Sequence, residues 1–142
     1  MNDLKSITVH QLAELVEKEA AVDIIDVRTS KEFHAVHAST AINIPLNSLN
    51  PDSVMKSRNN DKPVYLICQG GNRSNQAYQK FIKAGFQSVV NVEGGTNAWD
   101  QAGLAVIRGD STITSLQRQV LIIAGLMILI GSLVVFFNNY IF

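Results

Sequence analysis

The residues best suited to chemistry in this chain stand together in Cys68-Gln69-Gly70-Gly71-Asn72-Arg73-Ser74. Cys68 is the only cysteine. It follows an apolar, β-prone run, Val64-Tyr65-Leu66-Ile67, and precedes a helix-like segment from Asn75 to Ala84. A helix N-terminus presents unpaired backbone N–H groups and the positive end of the dipole. A glycine-rich turn lets several amides converge on an anion. In such a place thiolate is favoured over thiol, and the thiolate is the nucleophile. A lone cysteine at the end of a buried strand serves more often as a small hydrophobe. An inert core cysteine needs neither an anion-binding backbone nor a fixed cation. Gly70, Gly71 and Arg73 therefore favour a reactive thiol.

The elements around this loop have to position it. Thr8 is an expected N-cap, with Gln11 completing a capping box. Val9, Leu12, Ala13, Leu15 and Val16 then recur at helical spacing. Val22, Ile24 and Ile25 predict a short buried strand ending at Asp26 and Arg28. In an open α/β sheet the C-terminal strand ends border the ligand crevice. For Asp26 and Arg28, an ion pair or cap that supports the site is the stronger reading. Ser30 opens a single helical turn over Lys31–His34, and Ala41–Ile44 forms a strand stopped by Pro45. Leu46–Leu49 and Ser53–Lys56 suit short helical turns, and Arg58–Pro63 a polar surface turn.

After the loop, Ala77, Phe81, Ile82 and Ala84 supply an apolar helix face, with Gly85 as its stop. Val89–Val92 is the next strand. Gly94-Gly95 leads into a helix holding Ala98 and Trp99, closed by Gly103, and Leu104–Ile107 adds a final strand. Trp99 reads as a core anchor, His10 as surface and His37 as a structural histidine. Strands alternating with helices predict an α/β fold, a mostly parallel sheet with helices on both faces.

The balance of charges, 12 Lys+Arg against 12 Asp+Glu, leaves no electrostatic footprint for nucleic acid. One cysteine excludes an intrachain disulfide, and His10, His34 and His37 show no ligand spacing with it, so neither a metal nor another cofactor is expected. Val120–Phe137 is an uncharged apolar run of eighteen residues. At about 1.5 Å per residue it reaches roughly 27 Å, enough for a thin bilayer core. The expected layout is a folded domain over 1–109, a linker over 110–118, a transmembrane helix over 119–137 and a terminal piece, 138–142. That last piece is either the end of a single-pass chain or the start of a second span. Small residues Ala124 and Gly131, like Gly125 and Ser132, lie seven apart, a spacing compatible with a helix-mediated homodimer. Arg108 and Arg118 precede the span and no charge follows it, which places the domain in the cytoplasm by the positive-inside rule. The polar N-terminus, without a signal-peptide core, agrees with that side of the membrane, where a free thiol survives.

Taken together, these motifs resemble the rhodanese sulfurtransferases over roughly Ile7 to Ile107. The loop Cys68–Ser74 matches the family's C-x-x-G-x-R-S pattern. Asp26-Val27-Arg28, Glu32-Phe33, His37 and Asn43-Ile44-Pro45 resemble the block before it. Gly85-Phe86, Gly94-Gly95, Ala98-Trp99 and Ala102-Gly103-Leu104 resemble the block after it. With the apolar tail, the chain is similar to membrane-anchored bacterial rhodaneses, in which the domain precedes a pair of membrane helices and sits at the inner membrane. Val36 and Thr40 stand where the family usually has glycine.

The resemblance implies sulfur transfer through a Cys68 persulfide, from a donor such as thiosulfate to an external thiol or cyanide. Gln69, Gly70, Gly71, Asn72, Arg73 and Ser74 would bind the donor, Arg73 adding a fixed charge. Two alternatives remain at this point. One is a membrane-tethered redox or nitrosation sensor built on the same thiol. The other is a cysteine phosphatase, against which stand the four residues between Cys68 and Arg73, where phosphatase loops have five, and Ile67 in place of the usual histidine.

Overall fold

The computed structural model describes residues 3–19, 21–109 and 112–141. The chain divides into two units, Met1–Gly109 and Asp110–Phe142. In the first unit the elements follow the order β1 (Ser6–Ile7), α1 (Val9–Lys18), β2 (Asp23–Asp26), α2 (Ser30–Ala35), β3 (Val36–Ala38) and β4 (Ala41–Asn43). They continue with α3 (Pro51–Lys56), β5 (Val64–Ile67), α4 (Asn72–Lys83), β6 (Val89–Val92), α5 (Gly95–Gln101) and β7 (Val106–Arg108).

Five strands form one sheet in the order β1-β6-β5-β2-β4, and every pairing in it is parallel. Parallel neighbours require crossover connections, and the intervening helices supply them and cover both faces. β5 is the central strand, so its alternation decides what lies on each side. Val64, Leu66 and Cys68 join the core built with Ala77, Tyr78 and Phe81 of α4 and Val54 of α3. Ile67 and half-buried Tyr65 join the opposite core, with Leu12 of α1 and Trp99 of α5. A strand's period of two thus delivers the Cys68 side chain to the α4 face.

The capping box at Thr8 and Gln11 is present in full and starts α1. Trp99 is buried, and its indole N–H donates to the Ala105 carbonyl (2.9 Å), satisfying the one polar group of an apolar anchor. Leu104–Ile107 was expected to add a strand. The strand found, Val106–Arg108, stays out of the main sheet and pairs antiparallel with β3. On α4 the buried aromatic beside Phe81 is Tyr78, whereas Ala84 is exposed at the helix end. The Tyr78 hydroxyl donates to the Asp3 carbonyl and accepts from the Lys5 amide, tying the N-terminal segment to the domain. Arg58 is no solvated turn residue: its guanidinium binds Asp23 (2.7 Å), Asn60 and the Lys62 carbonyl, and organises the turn.

Val36 adopts extended backbone, φ −162°, and no non-glycine residue has positive φ among the described residues. The two positions where glycine is usual are therefore occupied without strain.

The second unit contains α6, Thr112–Ile141. It begins inside the stretch expected as a linker and ahead of residue 119; Asp110 and Ser111 of that stretch lie outside the described residues. No glycine or proline interrupts 112–118, and a helix nucleated in the apolar run extends cheaply through such residues. Ile122–Tyr140 is long and apolar enough to cross a membrane, with a mean hydropathy of 2.1. The Ser132 hydroxyl donates to the Leu129 carbonyl of its own helix (2.9 Å).

Candidate active site

β5 ends at Ile67, and Cys68 is the first residue beyond it. The chain then turns through Gln69 and Gly70 to Gly71, which N-caps α4 with φ +107°, a conformation that L side chains rarely adopt. α4 therefore starts at Asn72, three residues before the expected Asn75, because Gly71 supplies the turn into the helix. The earlier start matters chemically. It places Ser74 in the first helical turn, fully buried, with its hydroxyl 3.4 Å from the Cys68 sulfur.

The Gly71 amide donates to Cys68 Sγ at 3.0 Å, and the Ser74 hydroxyl donates to the Gly71 carbonyl at 3.0 Å. A hydroxyl has one proton to give. While Cys68 is a thiol, Ser74 spends that proton on the Gly71 carbonyl and accepts from the S–H. Once Cys68 is a thiolate, the same hydroxyl turns to the sulfur. The thiol's pKa is set by two opposing effects. Burial pushes it up, but hydrogen bonds from the Ser74 hydroxyl and from the amides of Ser74, Gly71 and Gly70 outweigh burial and leave it lowered. Cys68 is 1% exposed, while Gln69, Gly70 and Asn72 are exposed at the loop's rim.

A pH profile follows. The rate of Cys68 alkylation by iodoacetamide is expected to rise with a midpoint below the value of about 8.5 for an ordinary cysteine. Ser74→Ala removes a group that lowers the pKa, so it shifts the midpoint upward. A wild-type midpoint at or above the ordinary value would count against this electrostatic description.

The back of the loop is held by α5. The amides of Thr96 and Asn97 donate to the carbonyls of Cys68 (2.7 Å) and Gln69 (3.1 Å). With those carbonyls engaged behind the loop, its amides are free to serve the sulfur side. Such contact requires Gly95, whose φ is +59° and where a Cβ would run into the Cys68 and Gln69 carbonyls. The sequence showed the Gly94-Gly95 pair but not what it approaches.

Arg73 is not an uncompensated cation. Its guanidinium gives two parallel bonds to Glu32, each 2.8 Å, a bidentate pair. Glu32 is held there by α2, which starts at Ser30 as expected and has Thr29 as its N-cap. The Glu32 carboxylate accepts from the Thr29 amide (3.0 Å) and hydroxyl (2.7 Å), and the Thr29 hydroxyl accepts from the Glu32 amide. This capping box, closed over three residues, anchors a carboxylate that reaches the Cys68 loop. The charge expected of Arg73 is therefore held in place but paired with Glu32.

Arg73 and then Thr29 hold the Glu32 carboxyl well below the usual carboxylate range, and Glu32 in turn raises Arg73. A depressed carboxyl contributes stability that is present above its unfolded pKa, about 4.3 for glutamate, and is lost as pH falls toward its folded value. Acid unfolding followed by circular dichroism is therefore expected to show this component in the wild type. Glu32→Gln should lack it, its stability varying less with pH below that point; identical acid profiles would contradict the assignment.

Asp26 and Arg28 form a buried ion pair at the C-terminal end of β2 (2.7 Å), with 0% and 4% side-chain exposure. Arg28 also donates to the Val36 carbonyl (2.7 Å), and its own amide to Asp26. The pair supports the strand end beside β5, where Val27 donates to the Ile67 carbonyl. His37 has its Nδ1 2.6 Å from the Phe33 carbonyl and its ring stacked on Phe33, a structural placement.

The profile of the Rhodanese-like domain family matches residues 8–102. The thiosulfate sulfurtransferase GlpE of Shewanella oneidensis is 31% identical over 72% of this chain and 98% of its own. The slr1261 protein of Synechocystis is 38% identical over 83% of this chain, which spans 65% of that protein's length. Among solved structures, a rhodanese-related protein from Thermoplasma volcanium is 32% identical, with a TM-score of 0.61 over 72% of this chain and 97% of its own. Together with the loop geometry, these likenesses support sulfur transfer as the general chemistry. The chain belongs to the rhodanese-like domain family.

Proposed function

We propose that this chain is a membrane-anchored sulfurtransferase that moves sulfane sulfur from a donor such as thiosulfate to a thiol or cyanide, through a persulfide on Cys68. The observation that carries the reading is Cys68 Sγ receiving the Gly71 amide at the start of α4, with the Ser74 hydroxyl beside it. Such donors stabilise a thiolate, and the start of a helix favours an anionic persulfide as well. The thiolate attacks the terminal sulfur of thiosulfate; the new S–S bond forms as the old one breaks, and sulfite leaves with the electron pair. An acceptor thiolate or cyanide then attacks the outer sulfur and returns Cys68 to thiolate. Cys68 is the only cysteine, so the attacking group comes from outside the chain.

The membrane part of the proposal rests on Ile122–Tyr140 of α6, whose described side chains are exposed and apolar but for Ser132 and the last few residues. Arg108 and Arg118, on its N-terminal side, favour a cytoplasmic domain. The assay that tests the activity is sulfite release from thiosulfate with cyanide as acceptor, run beside hydrolysis of a phenyl phosphate ester. Sulfur transfer without hydrolysis is the expected result; hydrolysis alone would overturn the proposal.

A further inference from the structure

We infer that the loop takes its sulfur from a thiol-borne donor, an organic persulfide of low charge, in preference to the thiosulfate dianion, and that Glu32 sets this preference. The inference rests on the sulfurtransferase reading and adds the class of donor to it.

A dianion is drawn to a site with uncompensated positive charge. Here each arginine near the loop has its own carboxylate. Arg73 gives both ends of its guanidinium to Glu32, and Arg28 is paired with buried Asp26. With Cys68 ionised, the thiolate is the charge of this group left without a partner. Anion binding then falls to backbone dipoles, one of which, the Gly71 N–H, is already engaged by the sulfur. At the rim, the exposed side chains of the loop are the neutral amides of Gln69 and Asn72.

A dianion approaching this thiolate meets like charge from the sulfur, and Glu32 cancels the attraction Arg73 would otherwise supply. A protonated persulfide, R–S–SH, brings no charge at the reacting sulfur. The step balances without any oxidant. Cys68 Sγ forms a bond to the terminal sulfur as the donor's S–S bond breaks; the electron pair leaves with R–S⁻, and the proton stays on the transferred sulfur.

Glu32→Gln isolates the charge, because glutamine also completes a capping box and keeps an amide oxygen for Arg73. The experiment measures the rate of sulfur gain on Cys68 by mass spectrometry, on the full chain in detergent, with cysteine persulfide or thiosulfate as donor. Each rate is normalised to the same donor's reaction with a free small thiol. In the wild type the normalised ratio is expected to favour the persulfide by about tenfold, and Glu32→Gln to move it toward thiosulfate by a factor of about three to ten, the scale of removing one nearby charge at high effective dielectric.

A wild-type preference for thiosulfate, or an unchanged ratio in a folded Glu32→Gln protein, overturns the inference while leaving the sulfurtransferase reading intact. Sulfur gained from neither donor overturns both. Should Glu32→Gln fail to fold, salt decides on the wild type. Screening of like charges speeds the thiosulfate reaction, and a thiosulfate rate that falls with added salt overturns the inference.

Discussion

Cys68→Ser is expected to abolish sulfur transfer while leaving the domain folded. Loss of activity follows from the chemistry: a hydroxyl at this position is a far weaker nucleophile than a thiolate and cannot carry a sulfane sulfur. Retention of the fold follows from the site. The replacement is of similar size, and the new hydroxyl inherits a donor in the Gly71 amide and a neighbour in Ser74. No buried polar group is left unpaired, the usual source of a large penalty in such a substitution. Turnover at background level with an unchanged melting temperature is the expected pair of results. Retained turnover would remove Cys68 from the chemistry, and a collapsed melting temperature would show that burial, not catalysis, is what the site demands of it.

Gly95→Ala is expected to have the second-largest effect, from a residue that touches no substrate. Its backbone lies in the left-handed region, which costs an L residue about 1–2 kcal/mol before any collision is counted. The added methyl group also meets the Cys68 and Gln69 carbonyls, which accept from Thr96 and Asn97. Relief requires the loop to move, and with it Cys68. A displacement of about 1 Å in a reacting group costs on the order of 10²-fold in rate. Transfer should therefore fall about a hundredfold, with a raised midpoint for Cys68 alkylation as the sulfur leaves its donors. A lowered melting temperature without change in the alkylation profile would reduce Gly95 to a packing role.

Local signals carried much of this fold. The capping box of Thr8 and Gln11, the strands Val64–Ile67 and Val89–Val92, and the anchor Trp99 were readable because each depends on a few consecutive residues. The Cys68 loop was readable for the same reason: its cysteine, glycines and arginine are adjacent. The parts that were not readable come from contacts distant in sequence. Glu32 meets Arg73 across 41 residues, and no spacing rule announces that pairing. A local clue existed in Thr29 and Glu32, which spell a capping box around the Ser30 start of α2. Gly95 is a similar case, since a glycine's role lies in what its missing Cβ allows to approach, and the Cys68 carbonyl sits 27 positions earlier in the chain. The start of α4 was misplaced because Gly71 caps it through backbone conformation alone, with no side chain to signal a boundary.

These contacts change the electrostatic picture of the site. Arg73 has the position of an anion-binding cation but is committed to Glu32, so the loop handles charge through backbone amides, the α4 N-terminus and the Ser74 hydroxyl. The arginine's contribution becomes one of position: it joins the start of α4 to α2. The cost of a bidentate pair at about a third exposure is small compared with a buried one, so this link can be altered without unfolding the domain. Asp26 and Arg28 are the opposite case. Removing one partner of a fully buried pair leaves an uncompensated charge, so their variants report on folding before they report on catalysis.

The central claim is that Cys68 itself receives the sulfur. Mass spectrometry of the protein after treatment with a sulfane-sulfur donor tests it most directly. One added sulfur atom on the peptide containing Cys68, removed again by cyanide or a thiol, is the expected result; a folded protein whose Cys68 stays unmodified under excess of both thiosulfate and cysteine persulfide would contradict it.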